Sequence, residues 1–402
     1  LTSFSEIGLV PAVSTRFRRR PERVMPPSPA GERARRRGVV RQLSFSVLAM
    51  LLAVIGGQAR AQQILNIYNW SDYIAPNTVP DFEKATGIKV NYDTYDSNET
   101  LEAKLAAGNS GYDIVLPSLT PFLARQVKGG FYLALDKNKL PNYRHLSKDL
   151  LARMAVFDKD NAHAIPWLTG TTGIGYNAES VKKLMQDAPV GSLKMIFDPQ
   201  IVAKFKECGV ALLDAPVDVF PAALNYLGLN PDSQKPEDLQ KAADLLLKIR
   251  PFIRKFDSSE YINDLANGDL CLAWGYSSDV NLARRRAEEA GKGVTVVYAI
   301  PKEGTERYID TLAIPKDAPH PDAAYKFLDY IMDPKVIADT VNTIYVESGN
   351  ADAGPYTKPE ITADIGIFPS AETEKTIFAI SASSPEIDRL RTRLWTKVKT
   401  GR

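Results

Sequence analysis

Trp70, Ser71, Asp72 and Tyr73 stand next to one another in "YNWSDYIAP", at the end of a segment that alternates apolar and polar residues. Two more aromatic–acid pairs occur in similar settings, Tyr276 with Asp279 and Tyr308 with Asp310, and Asp218 follows the short run "LLDAP". This mixture suits a cation. Carboxylates take charge-assisted hydrogen bonds from ammonium groups, hydroxyls also accept, and aromatic faces cover methylenes while attracting positive charge. Aspartate is equally a turn former and a helix cap. Each acid alone is therefore weak evidence, and spacing does not show that they converge.

Other chemistry finds less support. "GTTGIG" at 170–175 lacks the Gly-Lys-Ser/Thr of a phosphate loop and the third glycine of a dinucleotide fingerprint, so it reads as a hinge or structural strand. His145, His163 and His320 are scattered, with no metal-binding spacing, and read as surface residues. No nucleophile elbow or S-x-x-K motif occurs. The sequence gives no reason to expect catalysis, a cofactor or a metal.

The elements that must position these residues follow an α/β rhythm. "ILNIYNW", "IKVNYDTY" and "YDIVLPS" read as strands. Between them lie the helix "TVPDFEKATG", with Pro80 in its first turn and Gly87 as its stop, and the helix "NETLEAKLAAGN", capped by Ser97 or Asn98. "TPFLARQVKGG" reads as a further helix. "AHAIPWLTGTTGIGYNAESVKKL" breaks the rhythm and fits extended crossover segments. A second α/β unit follows, with the strand-then-turn "GVALLDAPVDVF", the helices "PEDLQKAADLLLKIRPFI" and "SSEYINDLANG", and the strand "DLCLAWGYSSD". "GVTVVYAIPKEG" and "RYIDTLAIPKDA" are strands that lead into the helix "PDAAYKFLDYIMD". A mainly parallel sheet with strand ends facing one crevice is expected.

With 402 residues, 44% apolar and 24% charged, the composition is that of a soluble globular chain long enough for two domains. The net charge of +2 hides an uneven distribution. Residues 1–61 hold 11 Arg, no Lys and three Glu, leaving 39 basic against 45 acidic residues, a net of −6, in 62–402. That body has no basic run and gives no reason to expect nucleic acid. Arg35, Arg36, Arg37 and Arg41 precede "LSFSVLAMLLAVIGG" and then Ala59-Arg60-Ala61, the pattern of an export signal cleaved near Ala61, with an uncleaved anchor as the alternative. The long Pro/Arg-rich stretch before it makes Met25 a candidate start. Cys208 and Cys271 are the two cysteines, and in an oxidising compartment they favour a disulfide over two buried thiols.

Taken together, "NWSDYIAP", "FEKATGIKV", "YDSNETLEAKLAAG", "YDIVLPS", "TTGIGYN", "LLDAP", "YINDLANGD" and "IDRLRTRLWTKVK" resemble the periplasmic polyamine-binding proteins of ABC transport systems, above all the putrescine-binding branch. The likeness runs collinearly over 62–402. It implies a two-lobed, type II-like periplasmic binding fold with crossover hinge strands that closes over its ligand. It further implies a first lobe of 62–170 completed by 310–344 and a second of 171–309 completed by 345–402. It implies export to the periplasm, a monomer, and delivery of a di- or polyamine to an inner-membrane permease.

Carried over by position, the resemblance puts ligand contacts at Trp70, Ser71, Asp72, Tyr73, Ser118, Asp218, Ser258, Tyr276, Asp279, Tyr308, Asp310 and Tyr345, and a disulfide between Cys208 and Cys271. Asp218 stands where the branch has the longer Glu, and Tyr276 where it more often has Trp. Trp274, on the same strand face, is a candidate to compensate. The late aromatic falls on Tyr345 only after a one-residue shift from Val346. The acids would then divide, Asp279 and Asp310 on one ammonium and Asp72 with Ser71, Ser118 and Asp218 near the other. The departures loosen the expectation for putrescine towards agmatine, cadaverine or spermidine. A sensor in place of a transport receptor, or an exported amine-acting enzyme, are the competing readings.

Overall fold

Strand β1 (Ile64–Trp70) takes its conformation from the two-residue period of its apolar side chains: Leu65 and Ile67 are buried, with Asn69, while the residues between are not. It belongs to a computed structural model that describes residues 62–401. The expected signal over 1–61 lies outside the described residues. Strands β2 (Lys89–Tyr95) and β3 (Ile114–Val115) flank β1 in parallel. The crossovers are α1 (Thr78–Thr86) and α2 (Asn98–Ala106). Gly87 ends α1 at φ 71°, its N–H returning to the Glu83 carbonyl, a conformation that suits glycine. Ser97 caps α2, its hydroxyl accepting from the Thr100 N–H at 3.3 Å. "TPFLARQVKGG" becomes helical only from Ala124 to Lys128 on the far side of an irregular turn, because Thr120 is extended.

Strand β4 (Ala164–Asn177) is 14 residues long and almost wholly buried. Its first half pairs with β9 (Arg307–Ala313), from Ala164 opposite Ala313 to Thr171 opposite Arg307, in an antiparallel ladder. Its second half pairs with β7 (Leu272–Tyr276) and β8 (Val296–Ala299). The residues of "GTTGIG" thus lie within one strand that serves two sheets. A side chain at Gly170 would collide with the hydroxyls of Tyr308 and Ser277, so glycine lets these two strands and the next helix approach closely. In the second unit β5 (Val210–Leu212) runs parallel between β6 (Lys255–Phe256) and β7. Strand β10 (Glu347–Ser348) returns to β4. The sheet is parallel at its two flanks and antiparallel through its centre, where the crossing strands lie.

Two hydrophobic clusters, one built around Leu65–Ile67–Phe82–Phe327 and a smaller one near Leu101–Leu123, fill the first lobe. A third, from Ile174 to Tyr298, fills the second. The chain crosses between them along β4, between β8 and β9, and again within 369–386. The last crossing corrects the expected boundary at 345. Val346, Ala353, Ile361 and Ile367 pack in the first lobe, and Leu394, Trp395 and Val398 in the second. Pairing of Ser348 with Leu168 on the first-lobe half of β4 holds that segment back. Among the described residues no helix is long and apolar enough to cross a membrane.

Two of the helices that were not expected carry acids of interest. "PVDVFPAALNY" is the helix α3 (Pro216–Tyr226), although Pro221 sits inside it and speaks locally for a turn. Residues following β7 form α6 (Ser277–Ala290). Between them lie α4 (Pro236–Ile249) and α5 (Tyr261–Asn267). Helices α7 (Pro321–Ile331), α8 (Pro334–Ile344) and α9 (Pro385–Thr400) complete the chain. Helix α9 docks through Trp395 and Lys399, which donate to the Asp214 carboxylate at 2.7 and 2.9 Å. Cys208 and Cys271 form a disulfide with Cα atoms 5.6 Å apart, between the segments that enter β5 and β7.

Candidate ligand-binding cleft

Strand β1 ends at Trp70, and the chain turns there so that Trp70, Ser71 and Tyr73 face a cleft of about 750 Å³, its open mouth included. Asp310 lies on β9 within the crossing, buried, opposite Ser118. Ser118 Oγ donates to Asp310 Oδ1 at 2.6 Å and Tyr73 OH to Oδ2 at 2.8 Å. Asn98 fixes Ser118 twice, through its amide to Oγ and its carbonyl to the Ser118 N–H, each at 3.0 Å.

The second lobe contributes two helix starts. Asp218 is the third residue of α3 and Asp279 the third of α6. Tyr276 OH donates to Asp218 at 3.0 Å. Tyr261 OH donates to Asp279 Oδ2 at 2.9 Å and Ser278 Oγ to Oδ1 at 3.2 Å. Tyr308 OH reaches Ser278 Oγ at 3.1 Å, and the Tyr276 and Tyr308 rings stand edge to face 5.5 Å apart. Ser258 lines the cleft and accepts from the Asp214 N–H at 3.0 Å, fixing the loop behind it.

Three of the carboxylates lining the cleft, Asp218, Asp279 and Asp310, are each held by hydroxyl donors alone. Among the described residues no Lys, Arg or His nitrogen lies within 4.0 Å of any of them. Loss of water pushes Asp279 and Asp218 up to about 7 and Asp310 to about 6, against the pull of their hydrogen bonds. Asp72 and Asp310 raise Asp279 further by repulsion, while Arg391 draws Asp218 back down. An entering cation would reverse these shifts by favouring the charged forms.

Not every expected residue arrives. Asp72 turns away, at φ 55°, and pairs with Arg286 of α6 at 2.9 Å, its side chain half exposed. Asp72 lies outside the lining and straps the end of β1 to α6. Tyr345 lies in a separate surface groove, beside Arg284 and Lys358, and Val346 is buried in the first-lobe core, so neither alignment brings a late aromatic to the cleft. Trp274 is buried against Phe197. It lies on the face of Tyr276 but about 6.6 Å further down the strand, below the cleft floor. The three histidines each meet an aspartate, His145–Asp352, His163–Asp158 and His320–Asp113. Sequence reasoning missed Tyr261, Asn98, Ser278 and Glu306. Tyr261 and Asn98 sit inside helical stretches whose pattern does not show which side faces an acid, and Glu306 sits in the loop before β9.

The comparison with known proteins agrees with this architecture. The profile described as bacterial extracellular solute-binding protein matches residues 77–369. The chain belongs to the bacterial extracellular solute-binding protein family. Within that family it is 48% identical over 368 residues to the putrescine-binding periplasmic protein SpuD of Pseudomonas aeruginosa strain UCBPP-PA14, covering 90% of this chain and all of that one. It is 49% identical over 363 residues to the putrescine-binding periplasmic protein PotF of Escherichia coli K12, covering 90% and 98%. Among solved structures, the spermidine/putrescine ABC transporter substrate-binding protein PotD of Streptococcus pneumoniae superposes with a TM-score of 0.69 at 25% identity, over 84% of this chain and 99% of that one. The family's periplasmic-binding fold is the fold seen here.

Proposed function

We propose that the protein is a periplasmic receptor that captures a di- or polyamine, putrescine or a near relative, between its two lobes and delivers it to an inner-membrane ABC permease. The observation that carries the reading is the set of Asp218, Asp279 and Asp310 around one aromatic-lined cleft, with hydroxyl donors but no basic partner. Each ammonium brings three donors and a positive charge, which such acids lack. The aromatic rings of Trp70, Tyr276 and Tyr308 on the same lining suit the methylenes between the charges. Relatives named for putrescine binding and for the periplasm support both the ligand class and export, and in this reading the leader is removed near Ala61.

The ligand contacts in this reading are Trp70, Ser71, Tyr73, Ser118, Asp218, Ser258, Tyr276, Asp279, Tyr308 and Asp310. The role is capture without catalysis by a monomer. A thermal-shift screen of protein stripped of endogenous amine tests it, with putrescine, cadaverine, agmatine, spermidine, spermine and a neutral diol. Amines raise the melting temperature and the diol does not. A flat response to every amine would show that the cleft serves another ligand.

A further inference from the structure

Glu306, just before β9, faces the same cleft and takes no part in the network around the three aspartates. It is 5% exposed, its Oε2 meets no donor, and among the described residues no basic nitrogen lies within 4.0 Å of it. A buried carboxylate with nothing to accept from is costly, and a fold keeps one where something else supplies the donor.

The groups whose fields reach Glu306 are Asp218, Arg391 and Asp232. Arg391, buried on α9, is the obvious structural counterion. Its fork is turned elsewhere, Nη1 to Asp388 at 3.2 Å and Nη2 to Ser383 at 2.7 Å, and its Nε is also unpartnered. Burial and the neighbouring Asp218 charge push Glu306 well above the usual carboxylate range. An ammonium placed beside both acids would remove that penalty.

We infer that Glu306 and Asp218 form a further cation subsite of the cleft, one that takes the extra ammonium of a triamine. The inference rests on the polyamine reading above and adds a specificity-determining residue to it. A diamine brings two ammonium groups to a lining of five carboxylates, the exposed Asp96 together with Asp218, Asp279, Glu306 and Asp310. A triamine brings a third group to the acid that has no donor. Glu306 thus widens the ligand range from diamines to triamines.

Isothermal titration of putrescine and spermidine into protein produced from the full chain, wild type and Glu306→Gln, tests the subsite. Wild type binds both amines. Glu306→Gln loses about tenfold or more in spermidine affinity and less than about threefold in putrescine affinity. Equal losses for the two amines, no loss for either, or a wild type that binds putrescine and not spermidine would each overturn the subsite. A wild type that binds neither amine would overturn the polyamine reading itself, a distinct result. Should Glu306→Gln fail to fold, Glu306→Asp decides. It keeps the charge and withdraws it by one methylene, so a loss confined to spermidine supports the subsite and a uniform change refutes it.

Discussion

Asp310 receives Ser118 and Tyr73, one on each oxygen, and a carboxylate offers about four acceptor sites, so lone pairs remain for a ligand. Its two donors also fix its direction. Asp310→Asn removes the charge and keeps a carbonyl for one of the two hydroxyl donors, the amide NH2 facing the other hydroxyl oxygen. It should cost about 3 kcal/mol of amine binding, roughly a hundredfold, as truncation of a buried charged pair does. Titration calorimetry reads this directly, and unchanged affinity would remove Asp310 from the site. Asp72 is the contrast. Its pair with Arg286 is exposed and bridges β1 to α6, and such pairs contribute about 0–1 kcal/mol. Asp72→Asn should therefore weaken binding less than about fivefold. A hundredfold loss would show that the carboxylate swings into the cleft when ligand is present.

At the scale of elements, the acids are presented by strand ends and by the first turns of α3 and α6, and those elements rest on a braced second lobe. The Cys208–Cys271 disulfide ties the entries to β5 and β7 together and lines no part of the cleft. Replacing both cysteines by serine should lower stability by about 2–4 kcal/mol in urea titrations. Amine affinity should stay within about threefold of wild type, since β7 and its helix remain paired. What was legible in the sequence follows the same division. Strand β1, the helix stops at Gly87 and Gly268, and the extended run 164–177 show in their side-chain periods and glycines. Helix α3 was hidden because Pro221 argues against a helix on local grounds, and tertiary packing of Val219, Phe220 and Ala223 overrides it. Convergence of the acids was not readable from spacing at all. It depends on β9 crossing beside β4 and on which turn of α6 meets Tyr261, both long-range facts. Ten of the twelve residues expected from the resemblance lie on the lining; Asp72 is drawn to Arg286, far off in sequence, and Tyr345 lies in the separate groove it shares with Lys358.

For the whole molecule, the carboxylates around the cleft repel one another. Asp218 and Asp279 are raised to about 7 and Asp310 to about 6, from an ordinary value of 3.8. An acid raised in the folded state makes the native protein hold more protons than the unfolded chain between the two values. Its contribution to stability is then lost as pH rises through roughly 4 to 7. Asp279→Asn should flatten that part of the stability–pH curve of the unliganded protein, measured by calorimetric melting. An unaltered slope would mean that Asp279 titrates normally. Binding has the opposite sign. Ammonium groups favour ionised acids, so amine uptake releases protons, and affinity at about pH 7.5 should exceed that at about pH 5.5 by tenfold or more. Cancelling the repulsion also ties closure of the lobes to ligand charge.

The claim on which the account stands is that two positive charges, and not the methylene chain between them, select the ligand. Titration of putrescine against 4-aminobutan-1-ol, equal in length and carrying one charge in place of two, tests it most directly. Putrescine should bind about a hundredfold more tightly or better, because one acid is left unmatched in the alcohol complex. Comparable affinities for the two would contradict it, and would make the cleft an apolar slot in which the aspartates are incidental.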